Sequence, residues 1–134
     1  MDYRAFLLLL AVSALGAGVR GGPVERRGAA LFVGAGLVWG AALWLSDDTA
    51  AGVWMFVIDA TVLGALVGLV WRSPRPWPVY ASGVQMLVVA GGIAPWVRPD
   101  LDVDLHQAML GTLRFATICT LTLGAWIGPK RHKK

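Results

Sequence analysis

Five long apolar stretches, residues 3–19, 28–45, 51–71, 79–97 and 108–128, alternate with short polar runs. Each has the length that crosses a hydrocarbon core about 30 Å thick, for which a helix needs roughly 20 residues. The intervening runs read RGGPVERR, SDDTA, RSPRPWP and RPDLDVDLHQ, and GPKRHKK follows the fifth stretch. A helix satisfies its backbone polar groups internally, as lipid requires, and the alternation of a barrel strand is absent. The pattern therefore predicts an all-α integral membrane bundle of five transmembrane helices. Little chain is left between them, so residues 1–134 read as a single transmembrane domain without internal repeats.

The segment ends carry capping chemistry. Asp104-Leu-His-Gln107 offers an acceptor at the N-cap and Gln at N3 just before the fifth segment. Pro78 suits the first turn of the fourth, and Gly128-Pro129 stops the fifth.

Basic residues near segment ends are retained in the cytoplasm, so their distribution sets orientation. Arg20, Arg26, Arg27, Arg72, Arg75, Lys130, Arg131, Lys133 and Lys134 share one side of a five-span map. Only Arg4 and Arg98 fall on the other, together with Asp2, Asp47, Asp48, Asp100, Asp102 and Asp104. The expected topology is N-terminus outside and C-terminus inside, in a bacterial-type cell inner membrane. The charged start, apolar run and small residues Ala14-Leu-Gly16 of the first segment also describe a signal peptide. Cleavage there would put Arg20, Arg26 and Arg27 outside and invert the remaining spans, so the charge rule favours a retained span.

Composition agrees with the patterning. Hydrophobic residues make up 57% and charged residues 15% of the 134, against roughly 45–50% apolar in soluble domains. One cysteine, Cys119, excludes a disulfide scaffold and a thiolate metal site; in mid-span it reads as a packing residue. The net charge of +4 arises mostly from residues that set topology. Anionic lipid headgroups are thus better partners than nucleic acid for the tail residues Lys130, Arg131, Lys133 and Lys134.

Aromatic and small residues mark surfaces. Trp44, Trp54 and Trp96 fall near expected outer ends, and Trp71, Trp77 and Trp126 near inner ends, as headgroup-level anchors do; Trp39 lies deeper. Gly36-x-x-x-Gly40 and Ala60-x-x-x-Gly64-x-x-x-Gly68 each form a groove that lets helices approach closely, within one chain or between two.

The residues least at home in lipid are Asp59 and Arg114. They stand eight and six positions below the expected outer ends of their segments, at depths of about 12 and 9 Å for a rise of about 1.5 Å per residue. Opposite charges at matched depth should pair inside the bundle, because an isolated charge at the bilayer centre costs about 2.5–3.5 kcal/mol or more. Gln85 enters the same region on a face with Ala81, Ser82 and Gly92, and Gly92 would leave room for a guanidinium. Functionally this cluster reads as a proton or ion relay, or as the anchor of a small anion. Structurally it reads as an ion pair that fixes helix register, with Arg114 also able to snorkel outward and Asp59 able to stand protonated if no cation is near. The structural reading carries more weight, since one pair with one glutamine makes no pathway.

Other chemistries lack their residues. The acidic run Asp100-Leu-Asp-Val-Asp104 has neither the Gly nor the Glu of an EF-hand, which leaves at most a surface cation contact with His106. No His lies within a span to ligate haem, and no hydrolase, nucleotide-binding or zinc-protease motif occurs, so no catalytic residue, cofactor or metal is expected.

The stretch from Ile58-Asp59 through Arg72-x-x-Arg75-x-Trp77-Pro78 to Ala81 and Gln85, with its acidic loop and final span, resembles small multi-span inner-membrane proteins of proteobacteria. That resemblance implies location and fold, since no activity is assigned to the group. The expected function is a non-enzymatic structural or accessory subunit that packs with other membrane proteins or with its own copies. The alternative is a small solute or proton transporter that uses Asp59, Arg114 and Gln85.

Overall fold

The computed structural model describes residues 3–45 and 48–127, and over those residues each apolar stretch lies in a helix. The helices are α1 (Tyr3–Arg20), α2 (Pro23–Leu45), α3 (Asp48–Arg72), α4 (Trp77–Val97) and α5 (Val103–Ile127). The basic tail, the Gly128-Pro129 stop and Asp47 lie outside the described residues.

Three of these helices, Gly52–Arg72, Trp77–Val97 and Val103–Ile127, are long and apolar enough over their described residues to cross a membrane. α1 has 18 residues with Arg4 and Arg20 near its ends, and α2 opens on Glu25-Arg26-Arg27. The bundle's outside is apolar along its length: Leu8, Leu15, Leu37, Val57, Tyr80, Leu87 and Leu123 are all exposed.

The polar connections are shorter than the hydropathy pattern suggests, because capping groups recruit their ends into helix. α5 begins five residues before the expected start. Its N-cap is Asp102, not Asp104: Asp102 Oδ1 accepts from the backbone N–H groups of Asp104 and Leu105 at 3.0 and 3.1 Å. Asp104 then lies in the first turn, where its charge complements the helix dipole. Pro78 does occupy the first turn of α4, and α4 runs on as helix through Pro95.

Short connections make successive helices antiparallel neighbours, and α1 also packs on α5, so the five close into a ring with a smaller contact between α2 and α5. An odd number of alternating helices must leave one parallel pair, and it is α1 with α5. Ser13 and Thr122 share a 2.6 Å hydrogen bond there, and the Arg20 guanidinium lies 4.5 Å over the Trp126 ring.

One end of the ring is plugged by Trp77. The sequence pattern makes it an interfacial anchor, but its side chain is buried in the core with Leu66, Ala81, Ile118 and Leu121. Pro74, Pro76 and Pro78 restrict the approach of the chain, and glycines on two other helices make room for the ring. A methyl group at Gly28 would stand 2.5 Å from Cη2 of Trp77, and one at Gly124 would stand 2.5–2.7 Å from its Cγ, Cδ1 and Cβ. By contrast Trp44, Trp54, Trp71, Trp96 and Trp126 are all exposed, as anchors are.

The two small-residue grooves part company. Gly36 meets Leu10 of α1, with 2.9 Å between an added Cβ and Leu10 Cδ2. Gly64 and Gly68 meet nothing within 4 Å, so the α3 groove faces out of the ring.

This contrast yields a stability test. Gly124→Ala forces an atom into Trp77 and should cost about 1–3 kcal/mol by overpacking. Gly64→Ala meets open space and should be neutral or stabilising by up to about 1 kcal/mol through helix propensity. Thermal melts of the detergent-solubilised variants check both signs; equal effects would remove the plug from the account.

Candidate functional site

The three polar residues singled out in the sequence meet inside the ring. Asp59 stands eleven positions past the first residue of α3, Asp48, and Arg114 eleven past that of α5, Val103. Their matched depth survives, but at about 16 Å from the helix starts it lies deeper than the segment boundaries suggested. The reason is the early capping of α5 and the start of α3 at Asp48.

No Cα of α3 approaches one of α5 within 8 Å among the described residues. The ion pair therefore spans the ring through side chains alone. Arg114 Nη2 donates to Asp59 Oδ2 at 2.5 Å, and its Nε lies 3.2 and 3.3 Å from the two carboxylate oxygens. This fork geometry uses the planar guanidinium as a lysine could not be used. Both side chains are largely buried, which sets aside outward snorkelling by Arg114 and a lone Asp59.

α4 joins the pair through Gln85. Its Nε2 donates to Asp59 Oδ1 at 3.2 Å and to the Asp59 backbone carbonyl at 3.1 Å. Its Oε1 lies 3.5 Å from Thr117 Oγ1 of α5, whose single proton is shared between that oxygen and the Leu113 carbonyl, the nearer acceptor at 3.1 Å. Thr117 escaped the sequence reading because a threonine that bonds back to a carbonyl four residues earlier is unremarkable in an apolar helix. Gly92 does not make room for the guanidinium: Phe56 Cδ2 occupies that space, 3.1 Å from an added Cβ, with its ring edge-on to Trp96.

Two cavities share the ion pair as a wall. One, of about 190 Å³, lies in the ring between the apolar side chains Phe6, Phe32, Trp39, Ile58, Val62 and Ile118, with Asp59, Gln85, Gln107, Arg114 and Thr117 on its polar side. The other, of about 210 Å³, lies where α3, α4 and α5 meet the 98–102 connection; Asp59 and Arg114 line it together with Arg98, His106 and Gln107.

Polar groups elsewhere are placed differently. Arg98 and Asp100 form an exposed pair with both bonds at 3.0 Å, and the guanidinium holds the Asp100 carboxyl below its ordinary range. With Asp100 so engaged and Asp102 capping α5, the acidic run is spent on local structure, and no group of three metal-ligating side chains occurs among the described residues. His106 is buried, and its Nε2 has no hydrogen-bond partner. At the Trp77 end, Glu25 is buried with Arg75 Nε 3.4 Å from its Oε1, an ion-pair distance, while neither carboxylate oxygen accepts a hydrogen bond. Glu25 was passed over in the sequence because RGGPVERR reads as a solvated loop, whereas the residue belongs to the first turn of α2 and favours the helix N-terminus.

Compared with known proteins, the chain matched no protein-family model, no curated protein and no solved structure.

Proposed function

We propose that this chain is a five-span protein of the cell inner membrane, N-terminus outside and C-terminus inside, that acts without catalysis as a structural or accessory subunit packing with other membrane proteins or its own copies. The observation that carries the reading is the saturation of Asp59. Both carboxylate oxygens are held by Arg114 and one also by Gln85, so the group that a transporter would present to its cargo is tied up in a bond between three helices. α1 and α2, with the basic residues Arg20, Arg26 and Arg27 at their junction, complete the five spans under the charge rule, and the basic tail meets anionic headgroups on the inner side. The outward groove of Ala60, Gly64 and Gly68 gives a neighbouring helix a surface of close approach.

A second reading, passage of a small solute or proton, draws on one observation: the pair walls two cavities and does not lie in a packed interface. Intramembrane ionisable residues that face a cavity are functional candidates by default.

The topology is tested by impermeant thiol labelling of intact cells on a Cys119→Ser background. Cysteine at Asp48 or Asp102 should be modified, and cysteine at Arg75 or Lys133 should be protected. Labelling at the latter pair would overturn the five-span map.

The pair itself is tested by a mutant cycle. Leaving one charge buried alone should cost about 3–5 kcal/mol, whereas removing both is close to neutral, because a buried pair gains little over apolar packing. Asp59→Asn and Arg114→Gln should each lower the melting temperature in detergent, and the double variant should recover most of the loss. As a structural pair, the double variant also retains co-purifying partners. If it is stable, and proteoliposome flux present in the parent is lost, the second reading replaces the first. Additive single effects would mean that the two residues do not interact.

A further inference from the structure

The cavity beside the 98–102 connection is built with an excess of hydrogen-bond donors. Among the described residues its charged and polar lining consists of Arg98, Arg114, His106, Gln107 and a single acid, Asp59, whose oxygens are already held by Arg114 and Gln85. Arg114 binds Asp59 through Nε and Nη2, which leaves Nη1 outside that fork. Among the described residues Arg98 pairs with Asp100 alone, two residues away, in an exposed pair of the kind that water and salt exchange readily.

His106 supplies an independent sign of a ligand. It is 6% exposed, its Nε2 is shielded from solvent, and that nitrogen has no hydrogen-bond partner. A buried polar atom left without a partner is costly relative to a satisfied one, so buried groups are rarely left that way without a reason. Its ring lines the same cavity as the two arginines, and because Nε2 itself is closed to a water-sized probe, a small turn of the ring is what would bring that nitrogen to a ligand. The rest of the wall is apolar, with Phe56 and Trp96 edge-on at 5.1 Å and Met55, Leu101 and Leu110 around them. At about 210 Å³ the space exceeds the roughly 150 Å³ that accommodates benzene in an engineered protein cavity.

We propose that this cavity binds a small monoanion with an apolar body, its carboxylate or phosphate oxygens facing Arg98, Arg114 and His106 and its apolar part against Phe56 and Trp96. Either a free organic acid or the phosphate of a membrane lipid has this chemistry. The inference names the solute class for the second reading of function but does not depend on transport, since a binding site without flux fits a packing subunit equally well. Asp59 acts here as a positioning residue that fixes one face of the Arg114 guanidinium.

Calorimetric titration of the whole detergent-solubilised protein with benzoate tests the site, with benzamide as the neutral control of similar shape. Benzoate should bind and saturate at one site per chain, and benzamide should bind at least tenfold more weakly, the range set by a hydrogen bond to a charged group. His106→Phe keeps the ring volume and removes the nitrogen, and Arg98→Gln removes a charge outside the Asp59 network. Each should weaken benzoate about tenfold without lowering the melting temperature, and His106→Phe, which removes the unpartnered nitrogen, should leave it equal or higher. Moving the protein from a nonionic detergent, which carries no phosphate, into phosphatidylcholine nanodiscs, whose surface has no net charge to repel benzoate, distinguishes the source: benzoate affinity that falls in the nanodiscs assigns the cavity to a lipid phosphate, and equal affinity in both assigns it to a free acid. Equal binding of benzoate and benzamide, no binding by protein that melts cooperatively, or affinity indifferent to both substitutions would overturn the proposal. Binding retained in protein that shows no flux would remove the transport reading and leave the site standing.

Discussion

The arrangement of the bundle depends on one bond between helices whose backbones do not meet. α3 and α5 face each other across a ring, and the forked contact from Arg114 to Asp59 spans the gap that dispersion forces between backbones cannot. Apolar side chains give little net drive for association in lipid, because the lipid tails are as apolar as they are. A charged pair behaves differently: away from its partner each member would sit desolvated in hydrocarbon, so the two helices are held at one relative height. Gln85 extends the constraint to α4 by holding both the carboxylate and the backbone carbonyl of Asp59. A buried pair is weak support for stability in itself but strong support for register.

The two halves of the ring are built on opposite principles. Around Trp77 the fit is close, with Gly28 and Gly124 admitting an indole that prolines on either side steer into the core. Around Asp59 the fit is open, with cavities on both sides of the ion pair. Dense packing at one end can hold a five-helix ring closed while the other half keeps interior space, and the parallel contact of α1 on α5 completes the closure.

The number and placement of helices were legible because hydropathy over about 20 residues is a strong signal for any helix that must satisfy its own backbone. The meeting of Asp59, Arg114 and Gln85 was legible for the same reason: three polar residues in apolar helices have few places to go. Helix ends were less so. The sequence points to Asp104 as the cap of α5, whereas Asp102 caps it, and that choice is made by backbone geometry at the turn, which hydropathy does not encode. The burial of Trp77 was hidden because an aromatic residue beside arginines and prolines carries the composition of an interface; its glycine partners lie about fifty residues away on either side in sequence. Spacing alone could not separate the inward Gly36 from the outward Gly64 and Gly68 either, since a four-residue repeat states that a face exists but not which way it turns.

The sign of the charge left over at the cluster follows from which partners are spent. Among the described residues Asp59 is the one acid on either cavity wall, and all its carboxylate oxygens are engaged, whereas Arg114 keeps Nη1 outside the fork and Gln107 and the His106 ring stand beside the same space. A cation in either cavity would lie beside the Arg114 guanidinium and would have to displace it from Asp59, breaking the bond between α3 and α5, to gain that carboxylate. An anion would meet donors at once and leave that bond in place. Within the same ring, therefore, a cation or proton relay through Asp59 conflicts with the contact that sets helix register, and an anion held beside Arg114 does not.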